Sequence, residues 1–136
     1  MYISQKIVET IESSLDLLCA CKEERAVQNI LGNQLDCQVR YTLSSDTYPN
    51  VEVDLLGENY AIEVKFNKLY YDGISQVLIL KYLYKINTVI LLHIHKYLDS
   101  KFTNAFEELA KKLDFIGILI NQRKKSLEVV HQDEGI

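Results

Sequence analysis

The chain has 136 residues, of which 48% are hydrophobic and 25% charged, with one proline and five glycines. This composition is typical of a globular protein, and the length predicts a single domain over residues 1–136 with a sizeable core. The formal net charge of −4 argues against a general polyanion binder, no apolar run is long enough to span a bilayer, and the start lacks a signal-peptide pattern. The three cysteines lack zinc-finger spacing, so we expect free thiols in a cytoplasmic protein.

Two amphipathic helices are predicted before the first strand. Apolar residues recur at helical spacing over Tyr2–Ala20 and again over Lys22–Leu35. Ser13 and Ser14 could cap a new helix or lie inside the first one, so the break between the two helices stays open. Gly32-Asn33 could mark an early end of the second helix.

Three strands follow, and the last two form a predicted hairpin. Cys37–Leu43 alternates between two faces, and the polar segment Ser44–Asn50 is a loop. Val51–Leu56 has a period near two, and Tyr60–Phe66 is rich in β-branched and aromatic residues. The intervening Gly57-Glu58-Asn59 is a turn signal, which joins the two strands as a hairpin.

Helices and strands alternate in the remainder of the chain. The predicted elements are helix Gly73–Lys85, strand Thr88–His95, helix Lys101–Leu113, strand Phe115–Asn121 and strand Leu127–His131. The first of these helices is apolar on nearly all sides, and the run Val89–Leu92 suits an interior strand. The order of elements predicts an α/β fold.

Three charged residues of the hairpin are the candidates for chemistry. Glu63 and Lys65 are two apart in a strand, so both point to the face that also carries Ala61. A carboxylate and an ammonium among apolar neighbours are costly to bury without a use. If Asp54 lies opposite them on the paired strand, two carboxylates and a lysine converge. Such a set can hold a divalent cation and stabilise charge on a reacting phosphate.

This arrangement resembles the PD-(D/E)xK nuclease superfamily, with Asp54 as the conserved aspartate and Glu63-Val64-Lys65 as the Glu-x-Lys. Val53 stands where a proline is usual. The element order is also similar to the restriction-endonuclease-like core, a mixed β-sheet flanked by helices. Within the superfamily, residues 20–95 look most like the archaeal-type Holliday junction resolvases. The matching residues are Glu24, Val27, Ile30, Leu31, Val39, Tyr41, Ser44, Ser45, Asp54, Glu63, Val64, Lys65, Tyr71, Gln76 and Val77.

Two features of the resolvase family are missing from this chain. The basic-glycine start is absent, and Arg40 stands one position away from the family's arginine after the first strand. At its shifted position Arg40 is expected to face the other way. A resolvase-like substrate therefore has less support from the sequence than nuclease chemistry has.

The resemblance implies a role for each matching polar residue. The implied catalytic residues are Asp54, Glu63, Lys65, Glu24 and Gln76, and the implied ligands of Mg²⁺, for which Mn²⁺ can substitute, are Asp54, Glu63, Val64 through its carbonyl, and Glu24. Lys65 would stabilise charge in the transition state, and Gln76 would contact a phosphate or a metal-bound water. The alternative is an ordinary strand aspartate, a surface Glu–Lys pair and solvent-facing Glu24 and Gln76. Glu23 competes with Glu24 as the residue that faces the site.

Further polar and aromatic residues have two interpretations each. Ser44, Ser45 and Thr47 could contact DNA phosphates. Four tyrosines interleave with lysines and could contact nucleic acid or belong to the core or a dimer interface. These residues are Tyr70, Tyr71, Tyr82 and Tyr84, with Lys68, Lys81 and Lys85. His93 and His95 share a strand face and could in principle bind a metal, but no third ligand is near in the sequence, so we interpret them as structural.

The leading hypothesis is a Mg²⁺-dependent endodeoxyribonuclease that hydrolyses phosphodiester bonds, with branched DNA among its candidate substrates. The resemblance also implies a homodimer, in which two sites cut two strands symmetrically. One alternative is a non-catalytic dimeric scaffold or DNA-binding subunit with the same fold. Another is an unrelated α/β domain in which the motif is accidental.

Overall fold

The computed structural model describes residues 3–132 and contains one mixed sheet of six strands flanked by helices. The predicted α/β fold class is therefore confirmed. The helices are α1 Ile3–Ser13, α2 Leu15–Cys19, α3 Glu24–Leu35, α4 Ile74–Tyr82 and α5 Ser100–Leu113. The strands are β1 Gln38–Leu43, β2 Val51–Leu56, β3 Tyr60–Phe66, β4 Thr88–His95, β5 Ile116–Asn121 and β6 Ser126–Val130. Tyr2, the predicted start of the first helix, lies outside the described residues.

The strands follow one another across the sheet in chain order. β1, β2 and β3 are antiparallel neighbours, whereas β3, β4 and β5 run parallel and β6 returns antiparallel to β5. The step from β3 to β4 passes through α4, and the step from β4 to β5 passes through α5. The carboxyl ends of three parallel strands consequently meet at one edge of the sheet.

The two faces of the sheet carry separate hydrophobic clusters. Ile62 and Val64 pack with α1, α2 and α3, whereas Ala61 packs with α4 and α5 on the other face. All eight residues of β4 are buried, because helices cover this strand on both sides. Because Ile62 and Val64 lie on one face of the sheet and Ala61 on the other, the predicted alternation of β3 is confirmed. No helix within residues 3–132 is long and apolar enough to cross a bilayer.

The structure resolves two helix boundaries that the sequence left open and corrects a third. The first predicted helix divides at Ser14, whose hydroxyl donates to the Thr10 carbonyl at 3.0 Å and makes no cap bond. Gly32-Asn33 does not end α3, which continues to Leu35 before Asp36 takes a left-handed conformation. The absence of a side chain at Gly32 serves packing instead, since a Cβ there would lie 2.2 Å from Val39 Cγ2. The helix predicted over Gly73–Lys85 ends early, at Tyr82.

Candidate functional site

The hairpin strands β2 and β3 separate at Asp54. Regular pairing joins only Leu55 to Ile62 and Leu56 to Ala61. Beyond that point side chains replace the backbone ladder. The Asp54 N–H donates to Glu63 Oε2 at 2.9 Å, and the Val64 N–H donates to Asp54 Oδ2 at 2.8 Å. The structure thus brings the two predicted carboxylates together inside a gap in the sheet.

A matching distortion in β1 accompanies this gap. Val39 pairs with Leu55 and Tyr41 with Val53, so Arg40 lies opposite Asp54, and its φ of 49° is left-handed. The regular alternation of β2 is interrupted at Asp54, since Val53 packs on the α4–α5 side of the sheet and Leu55, two residues later, packs on the α1–α3 side.

Arg40 itself binds α3 and does not join the carboxylates. Its guanidinium donates to Gln28 Oε1 at 2.7 Å and to Asn29 Oδ1 at 3.0 Å. These two bonds fix the irregular strand against the helix, and they agree with the expectation that Arg40 faces away.

Burial and mutual repulsion dominate the electrostatics of the carboxylate pair. Glu63 is 3% exposed, and burial raises the pKa of its carboxyl group to about 8, with a further contribution from the Asp54 carboxylate. Burial also raises the pKa of Asp54, against the lowering effects of the Val64 N–H and the Lys65 charge. Two close carboxylates in a low-dielectric site resist being charged together. The raised pKa values therefore favour a proton shared by the pair at neutral pH.

Glu24 approaches the site from the first turn of α3. Its half-buried carboxyl group accepts a hydrogen bond from the Phe66 backbone and lies in the electrostatic field of Lys65 and Asp54. Burial raises the pKa of Glu24. Glu23, by contrast, is exposed and extended at the helix N-cap. Of the two rival glutamates, Glu24 is the one that faces the carboxylate pair.

Lys65 lies over Gly73, the residue that precedes α4. A Cβ atom on Gly73 would be 3.2 Å from both Cγ and Cε of Lys65 and 2.5 Å from Leu91 Cδ1. The backbone there is left-handed, with a φ of 94°, which suits glycine. Gly73 was not among the predicted site residues. A glycine after a loop and before an apolar helix was the available signal.

Gln76 shares a cleft with Lys65. The cleft has a volume of about 460 Å³, and its lining includes Lys65, Lys68, Tyr71 and Gln76. Gln76 is thus on the lysine side of the site and can reach a group bound there. The side chain of Val64 is in the core, and the role of its carbonyl as a metal ligand stays a prediction.

His93 and His95 form a buried chain behind Lys65, and His93 is the register partner of that lysine on β4. His93 Nε2 lies 2.8 Å from the Asp72 carbonyl oxygen, and His93 Nδ1 lies 3.0 Å from His95 Nε2. Burial lowers the pKa of both imidazoles to about 4, so both are neutral at pH 7. Because a carbonyl only accepts, His93 donates from Nε2 to Asp72 and receives a hydrogen bond from His95. The pair holds the turn before Gly73.

The other predicted contact residues are dispersed. Ser45 Oγ accepts hydrogen bonds from the backbone N–H groups of Thr47 and Tyr48 within its own loop. The Tyr84 hydroxyl donates to the Pro49 carbonyl. Lys81 pairs with Asp114 at 3.1 Å. Of the aromatic and basic set, the structure brings only Tyr71 and Lys68 to the cleft beside Lys65.

The donor set at the gap suits a hard cation. Within residues 3–132, no three His, Cys, Asp or Glu side chains are arranged as a ready metal-binding group. Asp54 and Glu63 each use one oxygen for a backbone N–H, which leaves the second oxygen of each. Carboxylate oxygens are the ligands that Mg²⁺ prefers, and a divalent cation would take the place of the proton that the pair now holds. These residues therefore fit a magnesium site.

Comparisons of the chain with protein-family models, with curated proteins and with solved structures found no match. The function is therefore inferred from the chemistry of the site itself.

Proposed function

We propose that the protein is a metal-dependent DNA endonuclease that hydrolyses phosphodiester bonds and uses Mg²⁺, for which Mn²⁺ can substitute. The observation that carries this proposal is the pair of adjacent carboxyl groups of Asp54 and Glu63, each of which accepts a hydrogen bond from a backbone N–H of the paired strand, in a gap of the sheet beside Lys65. Buried acids with raised pKa values that cluster with a specific charge partner are typical of functional sites. The resemblance to PD-(D/E)xK nucleases gives the same reaction class.

The residues that would hold the cation are Asp54 and Glu63, through their second oxygens, with Glu24 and the carbonyl of Val64 as further ligands. When bound, Mg²⁺ supplies a Lewis acid for the phosphate and lowers the pKa of a coordinated water. Glu63 must lose its proton to act as a ligand. The apparent affinity for the cation should therefore rise with pH until the pKa of about 8 is passed.

Lys65 and Gln76 would act on the phosphate. The charge of Lys65 lowers the pKa of all three carboxyl groups of the site, so the ammonium lies where negative charge collects. The lack of a side chain at Gly73 leaves room for the aliphatic part of Lys65 beside the start of α4. Preorganised positive charge stabilises a transition state whose phosphoryl oxygens gain charge. Gln76 in the same cleft can orient the phosphate or the attacking water.

The test is cleavage of a labelled four-way DNA junction beside linear duplex, single strand and supercoiled plasmid, with Mg²⁺, with Mn²⁺ or with chelator. Lys65→Ala should reduce the cleavage rate by a factor of about 100 or more and leave folding intact. Lys111→Ala is the matched control, because this exposed lysine pairs with Glu107 on α5, and it should cut normally.

Each pattern of cleavage has a distinct meaning. Symmetric, metal-dependent nicks in the junction alone would identify a resolvase, and cutting of the other substrates would identify a nuclease of broader specificity. Normal cutting by Lys65→Ala would refute the proposed mechanism. No cutting of any substrate by the wild type would favour the non-catalytic scaffold or DNA-binding subunit.

A homodimer belongs to the same proposal. Ile79, Tyr82 and Leu83 form an apolar stripe on the outer side of α4 and the turn after it, with exposed fractions of 39%, 51% and 41%. Positions i, i+3 and i+4 lie on one helical face. Two copies joined through this stripe about a two-fold axis would form an isologous interface and would carry two sites for two strands.

A further inference from the structure

A second depression lies at the carboxyl ends of the parallel strands β3, β4 and β5. It has a volume of about 560 Å³, and its lining includes Phe66 and Asn67 after β3, Lys96 after β4, and Arg123 after β5, with Lys22 before α3. We call it the basic groove. In open α/β sheets, ligands bind at the carboxyl ends of strands, so this is a favoured position for a binding surface.

The floor of the basic groove is fixed by hydrogen bonds between its loops. Asn67 Oδ1 accepts from the Lys96 N–H at 3.0 Å. Gln122 Nε2 donates to the carbonyls of Leu18 and Cys21 at 3.2 and 2.8 Å. These hydrogen bonds hold four segments of the chain in one arrangement. The basic side chains on these segments are therefore already in place before a ligand binds.

The charge of the basic groove is not compensated locally. Lys22, Lys96 and Arg123 are exposed, and within residues 3–132 none of them pairs with a carboxylate. No acidic residue is among the described residues that line the groove. Three unpaired cations on one concave surface are a marked exception in a chain whose net charge is −4. Such a surface favours a polyanion.

The basic groove adjoins the carboxylate site. Phe66, which lines the groove, directly follows Lys65, and its backbone donates to the Glu24 carboxyl group. Glu24 begins α3 two residues after Lys22, and the charges of Lys65 and Lys68 in the neighbouring cleft also act on it. Positive charge therefore extends from the cleft, past the three carboxyl groups, into the basic groove.

We propose that the basic groove binds the sugar–phosphate backbone of a DNA strand on one side of the carboxylate site, an inference that rests on the proposed endonuclease function. Phosphates are bound by lysine as a point charge and by arginine through paired hydrogen bonds. Contacts of this kind position a strand without reading its sequence. The partner is therefore DNA of any sequence, held so that one phosphodiester lies over Asp54, Glu63 and Lys65.

Binding of a fluorescently labelled DNA junction and duplex, followed by anisotropy over a range of salt concentrations in chelator, tests this inference. The variant is the triple substitution Lys22→Ala, Lys96→Ala and Arg123→Ala. Lys101→Ala, Lys111→Ala and Lys112→Ala on α5 form a control with the same change in charge. The groove variant should bind at least about tenfold more weakly near 100 mM salt, and its slope of log affinity against log salt should be smaller by about 2–3. The α5 control should differ from the wild type by less than about threefold.

Wild-type affinity in the groove variant, an equal loss in the α5 control, or no DNA binding by the wild type would each overturn the inference. Cleavage distinguishes this failure from failure of the proposed function. If the groove variant binds and cuts DNA normally, the nuclease proposal stands and the DNA-binding role of the groove is refuted. A wild type that cuts no substrate, while its DNA binding depends on the groove residues, would refute the nuclease activity and retain the groove as a DNA-binding surface. Thermal unfolding of both triple variants confirms that they are folded.

Discussion

Glu63 combines deep burial with an ionisable group, and this makes the stability of the protein depend on pH. Its pKa is raised from 4.5 to about 8 in the folded chain, so the folded state keeps a proton that the unfolded chain releases. The contribution of Glu63 to the free energy of unfolding should therefore fall as pH rises from about 4.5 to 8, whereas the lowered pKa values of His93 and His95 act in the opposite direction between about 4 and 6.5. Glu63→Gln removes the contribution of Glu63, because an amide does not titrate, and the amide oxygen can still accept from the Asp54 N–H.

We expect Glu63→Gln without added metal to be more stable than the wild type by roughly 4 kcal/mol at pH 8, and by much less at pH 5. Thermal or urea unfolding in chelator measures this difference, with the exposed Glu58→Gln as the control. Added Mg²⁺ or Mn²⁺ should raise the melting temperature of the wild type at pH 8 but not that of Glu63→Gln. A variant that is less stable than the wild type at pH 8 would contradict the raised pKa.

The start of α4 couples the fold to the site through Gly73. Substitution by alanine places a Cβ against Leu91 and the stem of Lys65 and requires a left-handed backbone that alanine disfavours. We expect Gly73→Ala to lower the free energy of unfolding by about 1–3 kcal/mol and to reduce cleavage more than DNA binding, because the ammonium is displaced. Urea unfolding, cleavage rates and anisotropy provide these values.

Ser75→Ala is the matched control for this substitution, since Ser75 is exposed on the same helix and lines the same cleft. It should unfold and cut nearly as the wild type does. If Gly73→Ala cuts at the wild-type rate, Lys65 does not need the room left at residue 73, and its placement must come from β3 alone.

The hairpin and the faces of β3 were predictable from the sequence because both depend on local alternation, whereas the expected common face of Val53 and Leu55 in β2 was wrong. Asp54 therefore comes opposite Glu63 as expected, and the α/β order follows from helical and strand periods. The gap at Asp54 was not predictable, since it depends on the left-handed Arg40 in another strand and on side chains that replace backbone pairing. Such contacts leave no periodic signal.

The basic groove also left no signal in the sequence, because its cations come from loops that are distant in the chain. Lys22, Lys96 and Arg123 meet only when the carboxyl ends of three parallel strands are placed side by side. Glu24 was predicted by resemblance, and Glu23 differs from it because α3 begins at Glu24 and leaves Glu23 exposed at the extended N-cap. The restriction-endonuclease-like core itself stays a prediction.

Association of two chains is the remaining property that the fold makes testable. The inner side of α4 packs Val77 and Leu80 against the sheet, so its exposed apolar stripe is left without a partner within one chain. Burial of such a stripe in an isologous interface would remove apolar surface from water on both copies. We expect light scattering at micromolar concentration to give twice the chain mass of 15.8 kDa.

The double substitution Tyr82→Glu and Leu83→Glu should shift the protein to the single-chain mass, because it places two charges on each side of the interface. Leu17→Glu is the control, since Leu17 is a comparably exposed apolar residue on α2, and this variant should remain dimeric. With a four-way junction, the monomeric variant should nick one strand at a time, whereas the dimer cuts symmetric pairs. A wild type that already has the single-chain mass would exclude the α4 dimer and leave paired cutting without a structural basis.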